Sequence, residues 1–388
     1  MAPTTVFARL LLILLASTVA PAALDAQERY SLSGEVAIFN LAGEVTIEAG
    51  NAAGTVVEVT RGGRDAGQLD VATSEIRGWQ TLRIRYPDDR IVYRGDGWRG
   101  NTQFSVREDG TFGGRFGDDD SGSTLGALLE AIGIGGDGNR VRISSSGSGL
   151  EAWADLRIQV PAGRTVTVNL GVGRITASNV EGELFLGTRS GSVETRATRG
   201  TLTIDTGSGS AEVENARGDV DVDTGSGSIT VSDISDGSLR LDTGSGRITA
   251  VSLDVSDLDV DTGSGTIEID AVQSPRIEAE TGSGSIRVRA ASVDELSLDT
   301  GSGSITVAIE SAVRDVLIDS GSGGVTLEVP PDLNASLDLD TGSGGISVDL
   351  PIRIIEKKRN YLSAALGEGG GRIRIDTGSG GIRIRPVR

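Results

Sequence analysis

Ser238-Leu239-Arg240-Leu241-Asp242-Thr243-Gly244-Ser245-Gly246-Arg247-Ile248-Thr249-Ala250 alternates apolar and polar residues on either side of a glycine-rich pivot. Leu239, Leu241 and Thr243 share one face of a strand, and Ile248 and Ala250 share a face after the turn. Arg240, Asp242, Arg247 and Thr249 point the other way. The pattern reads as strand, turn, strand. Glycine at both turn positions admits a positive φ and a close approach of neighbouring turns, where a Cβ would clash with the chain above or below.

The pivot recurs. Asp-Thr-Gly-Ser-Gly starts at Asp205, Asp223, Asp242, Asp261, Asp299, Asp340 and Asp376, with variants at Glu280 and Asp319. Weaker copies occupy Asn169 to Gly173 and Thr188 to Ser192. Most steps are 18 to 21 residues, and the last is 36 because residues 356–371 interrupt. A unit this short cannot bury its own apolar face, but stacked copies can. Stacking sets each strand about 4.8 Å from its equivalent in the next coil, so identical residues form ladders. A propeller blade would need about 40 residues. The expected fold is therefore all-β: a single-stranded β-solenoid, parallel β-helix-like, of roughly ten or more coils of 18–21 residues with an irregular N-terminal insertion.

The rest of the chain is read against that repeat. Residues 1–26 have the pattern of a cleaved signal peptide: Arg9, the apolar run Leu10 to Ala16, then small residues. The run is too short to span a bilayer comfortably, and no second apolar span follows. The mature chain is expected to be exported, to the periplasm, the outer surface or the medium. Residues 27–87 read as irregular coils or a cap. Residues 88–150 are rich in Gly, Asp, Arg and Ser and read as a long, partly disordered insertion, with a short helix over 124–132. Regular coils fill 151–388, with a helical or hairpin excursion at 356–371.

Composition excludes several chemistries. There is no Cys and no His, which removes thiol nucleophiles, disulfides, the usual zinc sites and every His-based triad. A net charge of −19 argues against nucleic acid, which needs clustered Lys and Arg. Aromatics are only 3 % of residues, as suits a narrow core of Val, Ile, Leu and Thr.

Asp-Thr-Gly-Ser is also the aspartic-protease signature, but that chemistry needs two facing Asp loops, whereas these copies fall on a line. The repeat Asp reads instead as a turn cap, its carboxylate accepting backbone N–H groups. Asp223, Asp242, Asp261, Glu280 and Asp299 would then stack as like charges, which makes Asp223, Asp242, Asp261 and Asp299 a candidate Ca²⁺ ladder and Ca²⁺ the one candidate cofactor. Their Asp precedes the glycines, unlike that of calcium-binding Gly-Gly-x-Gly-x-Asp repeats. Gly-x-Gly here lacks a phosphate-loop Lys and a strand-to-helix context. Arg94-Gly95-Asp96 is a tripeptide that composition alone produces. Trp79, Tyr86, Tyr93 and Trp98 belong to an aromatic cluster that reads either as an end cap or as a platform for a glycan or protein partner.

With these motifs in view, the chain resembles a bacterial family known as the putative adhesins, an exported β-solenoid domain of unknown function with Gly-Ser-Gly turns. Leu156-Arg157-Ile158-Gln159-Val160-Pro161-Ala162-Gly163 fits the Val-Pro-x-Gly strand that opens the regular coils of that family, and Leu327 to Asp332 echoes it. The resemblance covers most of 152–388, more weakly 30–87, and not 88–150. It implies a non-catalytic envelope protein, adhesin-like or structural, whose partner is an envelope glycan or protein. The alternatives are a plain structural spacer and a polysaccharide-acting β-helix enzyme, which would need a non-repeated acidic and aromatic cleft. Self-association is not legible from the repeat.

Overall fold

The computed structural model describes residues 28–76, 78–95, 97–112 and 139–387, apart from the side chain of Ala290. The expected signal peptide and the short helix over 124–132 lie outside the described residues.

The repeat folds as its alternation requires. Ser238–Thr243 pairs in parallel with Val220–Thr224 on one side and Asp257–Thr262 on the other. Ile248–Asp254 does the same between Ile229–Ser235 and the first half of Ile267–Thr281. The strands before the turns form one row of the stack and those after the turns form a second. Equivalent residues meet in register, Leu239 against Leu258, Leu241 against Val260 and Thr243 against Thr262. Because the side-chain period is two, this register sends the alternate Leu, Ile and Val of both rows inward together, with Leu317 a first-row exception that faces out. The result is one continuous core from Leu32 to Ile384. Each fully buried Leu, Ile or Val is worth about 1.5–3 kcal/mol, and no coil can collect that without its neighbours.

A third corner turns the chain back between the rows. Asn179, Ala197, Asn215, Asp233, Ser252 and Ala271 all have φ between 54° and 59°. They recur every 18 or 19 residues, as one column of left-handed bends. Asn and Asp tolerate that conformation, whereas Ala adopts it only under tertiary constraint.

The glycine reading divides. None of the Gly-Ser-Gly glycines from Gly207 to Gly380 has a φ in the left-handed range. Their requirement is close approach alone: a Cβ on Gly265 would overlap the carbonyl oxygen of Gly246, and one on Gly284 that of Gly265.

Coils do not stack strictly in chain order. Asp315–Ser320 pairs with Gly371–Thr377, which in turn pairs with Ala335–Thr341. Val325–Val329 likewise pairs with Ile382–Pro386, which pairs with Ile346–Val348. The C-terminal coil is thus inserted between the two coils that precede it. The excursion at 356–371 contains the second strand of an antiparallel hairpin, Ile352–Lys357 with Tyr361–Leu366, and Tyr361–Leu366 closes the first row by pairing with Ala335–Thr341.

At the other end, Val36–Ala42 and Val45–Gly50 form a coil that stacks in register on Arg164–Val172 and Ile175–Ser178. Val36–Ala42 is buried on both faces. Val36 and Ile38 enter the solenoid core, while Ala37, Phe39 and Leu41 enter a second core. That second core lies under a three-stranded sheet made of Arg90–Val92, Asn139–Ser144 and Asn101–Val106. The region 88–150, expected as a loop, therefore carries ordered strands. They are short and separated by Gly-rich linkers, so their alternation is too brief to outweigh the composition.

Candidate functional site

The recurring acidic residue lies on the outward face of the first row. Asp205, Asp223, Asp242, Asp261, Glu280, Asp299, Asp319, Asp376 and Asp340 pair in register, in that spatial order. Parallel register spaces their Cα atoms about 4.8 Å apart. The ladder is buried at Asp205, part-buried at Asp223 and Asp242, and exposed at Asp261, Glu280, Asp299 and Asp319.

The carboxyls respond accordingly. Burial, then the neighbouring Asp223, pushes Asp205 up to about 8 against the pull of Arg189. Burial and Asp242 push Asp223 up to about 6. Asp242, Asp261, Glu280, Asp319 and Asp376 are raised for the same reason, desolvation first. An adjacent column alternates sign: Asp221, Arg240 and Asp259 are in register, and Arg240 reaches Asp259 at 3.4 Å.

Turn capping falls to a different residue. The buried Thr after each Asp does the work assigned to the carboxylate. Thr262 Oγ1 donates to the Gly246 carbonyl of the previous coil at 3.1 Å and accepts from the Gly265 N–H at 3.0 Å. Thr243, Thr281, Thr300 and Ser320 repeat both bonds. The hydroxyl is shorter than a carboxylate and faces inward on the strand, so it alone reaches the turn without burying a charge. The legible signal was that only Ser replaces Thr at this place.

The ladder does not make a chelating cluster. Among the described residues no group of three or more acidic side chains is placed to hold a metal ion. Asp223, Asp242, Asp261 and Asp299 fall on a line, with Glu280 between the last two. One break in the ladder escaped the sequence reading. Gly187 stands in register between Asn169 and Asp205. Beside that missing side chain, Asn169 Nδ2 and Asp205 Oδ1 are buried without hydrogen-bond partners.

The aromatic platform is corrected. Trp79 and Tyr93 are buried in the second core, at 7 % and 1 % exposure, and Tyr86 and Trp98 pack against it. Tyr93 stacks edge-on to Trp153 with ring centroids 5.8 Å apart. Tyr86 donates through its hydroxyl to Asn40 Oδ1 at 2.8 Å, and burial raises its pKa far above the ordinary value. Trp98 Nε1 lies 3.4 Å from Ser190 Oγ, so the cap reaches the coil next to Asp205. These rings fasten the small sheet to the solenoid, because a cap must bury apolar area to hold an exposed stack end. Asp96 of Arg94-Gly95-Asp96 lies outside the described residues.

A non-repeated surface opens where cap and coils meet. A cleft of about 840 Å³ is lined there by Ile84, Arg85, Asp88, Asp89, Arg107 and Arg140, among others. Its charges are of both signs and come from both the coils and the small sheet.

A model of the family described as Toastrack DUF4097 matches residues 155–385. The chain belongs to the Toastrack family. The Toastrack match begins at the strand Trp153–Pro161 and ends within the last strand, Ile382–Pro386, so it takes in the regular coils and leaves out the cap and the aromatic cluster. No curated protein matches the chain. A solved structure, that of a putative cell adhesion protein from Clostridium sporogenes, aligns over 93 % of this chain and 99 % of its own at 9 % identity, with a TM-score of 0.22. Among the described residues of this Toastrack chain, no helix is long and apolar enough to cross a membrane.

Proposed function

We propose that the protein is a non-catalytic, exported, adhesin-like rod that binds a polar envelope glycan or protein at the cleft between its cap and its first coils. The observation that carries this is the contrast between the two kinds of surface. Along the coils each outward position repeats in register, which suits a scaffold; the cleft instead gathers residues from two sheets around a ligand-sized space. Export rests on the signal-like pattern of residues 1–26. The acidic residues of the repeat do not converge in pairs as hydrolytic chemistry requires, which favours binding over turnover.

The test uses the full mature chain on an array of envelope polymers and glycans, with mass spectrometry of the array afterwards. Deleting the cap would uncover Phe39 and Val172, so the site is probed instead by Arg85→Ala and Arg140→Ala. The expected result is binding without turnover, weakened at least tenfold in either variant. Turnover would make the protein an enzyme. No binding would leave the spacer.

A further inference from the structure

The two ends of the stack are open and unlike. At the C-terminal end the first row continues two strands past the last coil, through Tyr361–Leu366 to the edge strand Ile352–Lys357, while the second row stops at Ile346–Val348. At the N-terminal end, beyond the coil of Val36–Ala42 and Val45–Gly50, the first row adds two strands and ends on Asp70–Ile76. The second row adds three there and ends on Glu28–Leu32. The first row therefore projects at one end of the molecule and is recessed by one strand at the other.

The chemistry of the two edges is opposite. Ile354 and Ile355 on the projecting strand are 53 % and 63 % exposed, two of the three large apolar residues exposed among the described residues. The register shifts between Ile354 and Glu356, so Ile355 stands unpaired at a bulge, and the two exposed isoleucines make this edge apolar there. The only two lysines of the chain, Lys357 and Lys358, stand here with Arg353 and Arg359, against the single carboxylate of Glu356. The recessed strand Asp70–Ile76 exposes Asp70 and Glu75, carries no cation, and has Val71 and Ile76 part-buried.

We propose that Ile352–Lys357 of one molecule pairs with Asp70–Ile76 of a second copy, so that the first row runs on from molecule to molecule. Lysine on an edge strand ordinarily blocks pairing. Here it blocks only the pairing of two like ends, and it favours the acidic end of another copy. Such a head-to-tail contact does not close, and it builds a linear filament. It leaves a gap one strand wide in the second row. Asp70 also lines the cleft, so the variant pair R353E/K357E, far from the cleft, separates this inference from what the cleft binds.

Sedimentation velocity and negative-stain microscopy of the mature chain test it, at 20 mM and 500 mM NaCl. The expected result is concentration-dependent linear association that high salt weakens. R353E/K357E and D70K/E75K should each weaken it at least tenfold. An equimolar mixture of the two variants should associate again, as should one chain carrying all four substitutions, because each acidic end then meets a basic one. A monomer at every concentration and salt would overturn the proposal. So would a dimer indifferent to D70K/E75K, which would mean two projecting edges paired with each other. Binding of a monomeric chain to phosphatidylglycerol vesicles through Arg353 and Lys357 would overturn it in favour of a membrane surface.

Discussion

At the scale of the residue, the repeat is held by constraints that its letters half reveal. Gly265 accepts no Cβ because the Gly246 carbonyl occupies that space. Gly265→Ala should destabilise by about 2 kcal/mol or more, as an overpacked site with an immobile backbone neighbour does, while Ser264→Ala beside it should cost little. Equilibrium denaturation of the two variants checks this, and equal midpoints would refute it. The left-handed column makes the reverse prediction. Ala197 sits at φ 55°, where Gly is relieved of about 1–2 kcal/mol. Gly also gains about 0.4–1 kcal/mol of unfolded-state freedom. Ala197→Gly should therefore stabilise by about 0.5–1 kcal/mol, and a loss of stability would show that the Ala methyl has a packing role. The need for glycine at the turns was legible, and so was close approach; that positive φ plays no part was not. Close approach depends on the coil above, which period-two alternation implies only as a stack. The Asp-for-Thr error has the same origin: either side chain can cap a turn locally, and only the inward or outward sense of the strand decides between them.

At the scale of the element, parallel strands and inward faces follow from the pattern, and a hairpin was one of two readings of the excursion at 356–371, but the order of the last coils does not follow. Asp376-Thr377-Gly378-Ser379-Gly380 matches the unit at Asp340 in all five residues and the unit at Asp319 in four. Near-identical units offer degenerate partners, so no local preference says which pair is adjacent. The hairpin supplies the asymmetry. Tyr361–Leu366 takes the free edge of Ala335–Thr341, which leaves the final strands only the slot beside Asp315–Ser320. A chain without native cysteines lets this be tested cleanly. Leu317 and Arg374 are in-register neighbours, whereas Leu317 and Asp338 lie two coils apart. Adjacent strands set Cα atoms about 4.8 Å apart, within disulfide reach, and two steps make roughly 10 Å, beyond it. Leu317→Cys with Arg374→Cys should oxidise to an internal disulfide, and Leu317→Cys with Asp338→Cys should not. Mass spectrometry of the oxidised variants reads the difference, and the opposite result would restore stacking in chain order.

At the scale of the whole molecule, the acidic ladder couples the stack to pH. The stacking of like charges was legible in the spacing of the repeat. The gradient of burial was not, because period-two alternation places every residue of the ladder on the same outward face. Raised carboxyls bind protons more tightly in the folded state than in the unfolded one. Their contribution is therefore complete below the ordinary carboxylate value of 3.8 and is lost as pH rises, through about 6 for Asp223 and about 8 for Asp205. Asp65, Asp109 and Asp219 are lowered by hydrogen bonds or neighbouring arginines and act oppositely, losing their contribution only as the solution becomes more acid than 3.8. The melting temperature should then be higher at pH 5 than at pH 8.5. Salt bridges along the coils add little to this balance, since pairs such as Arg289 with Asp270 are exposed. The buried end of the ladder should carry most of the slope. Asp205→Asn removes the charge that cannot be solvated, so it should stabilise by roughly 2 kcal/mol at pH 8.5 and by well under half of that at pH 5. Asp299→Asn, on the exposed part of the ladder, should leave the slope nearly intact. Equal slopes in both variants would mean that repulsion between neighbours, rather than burial of Asp205, sets the pH response of the rod.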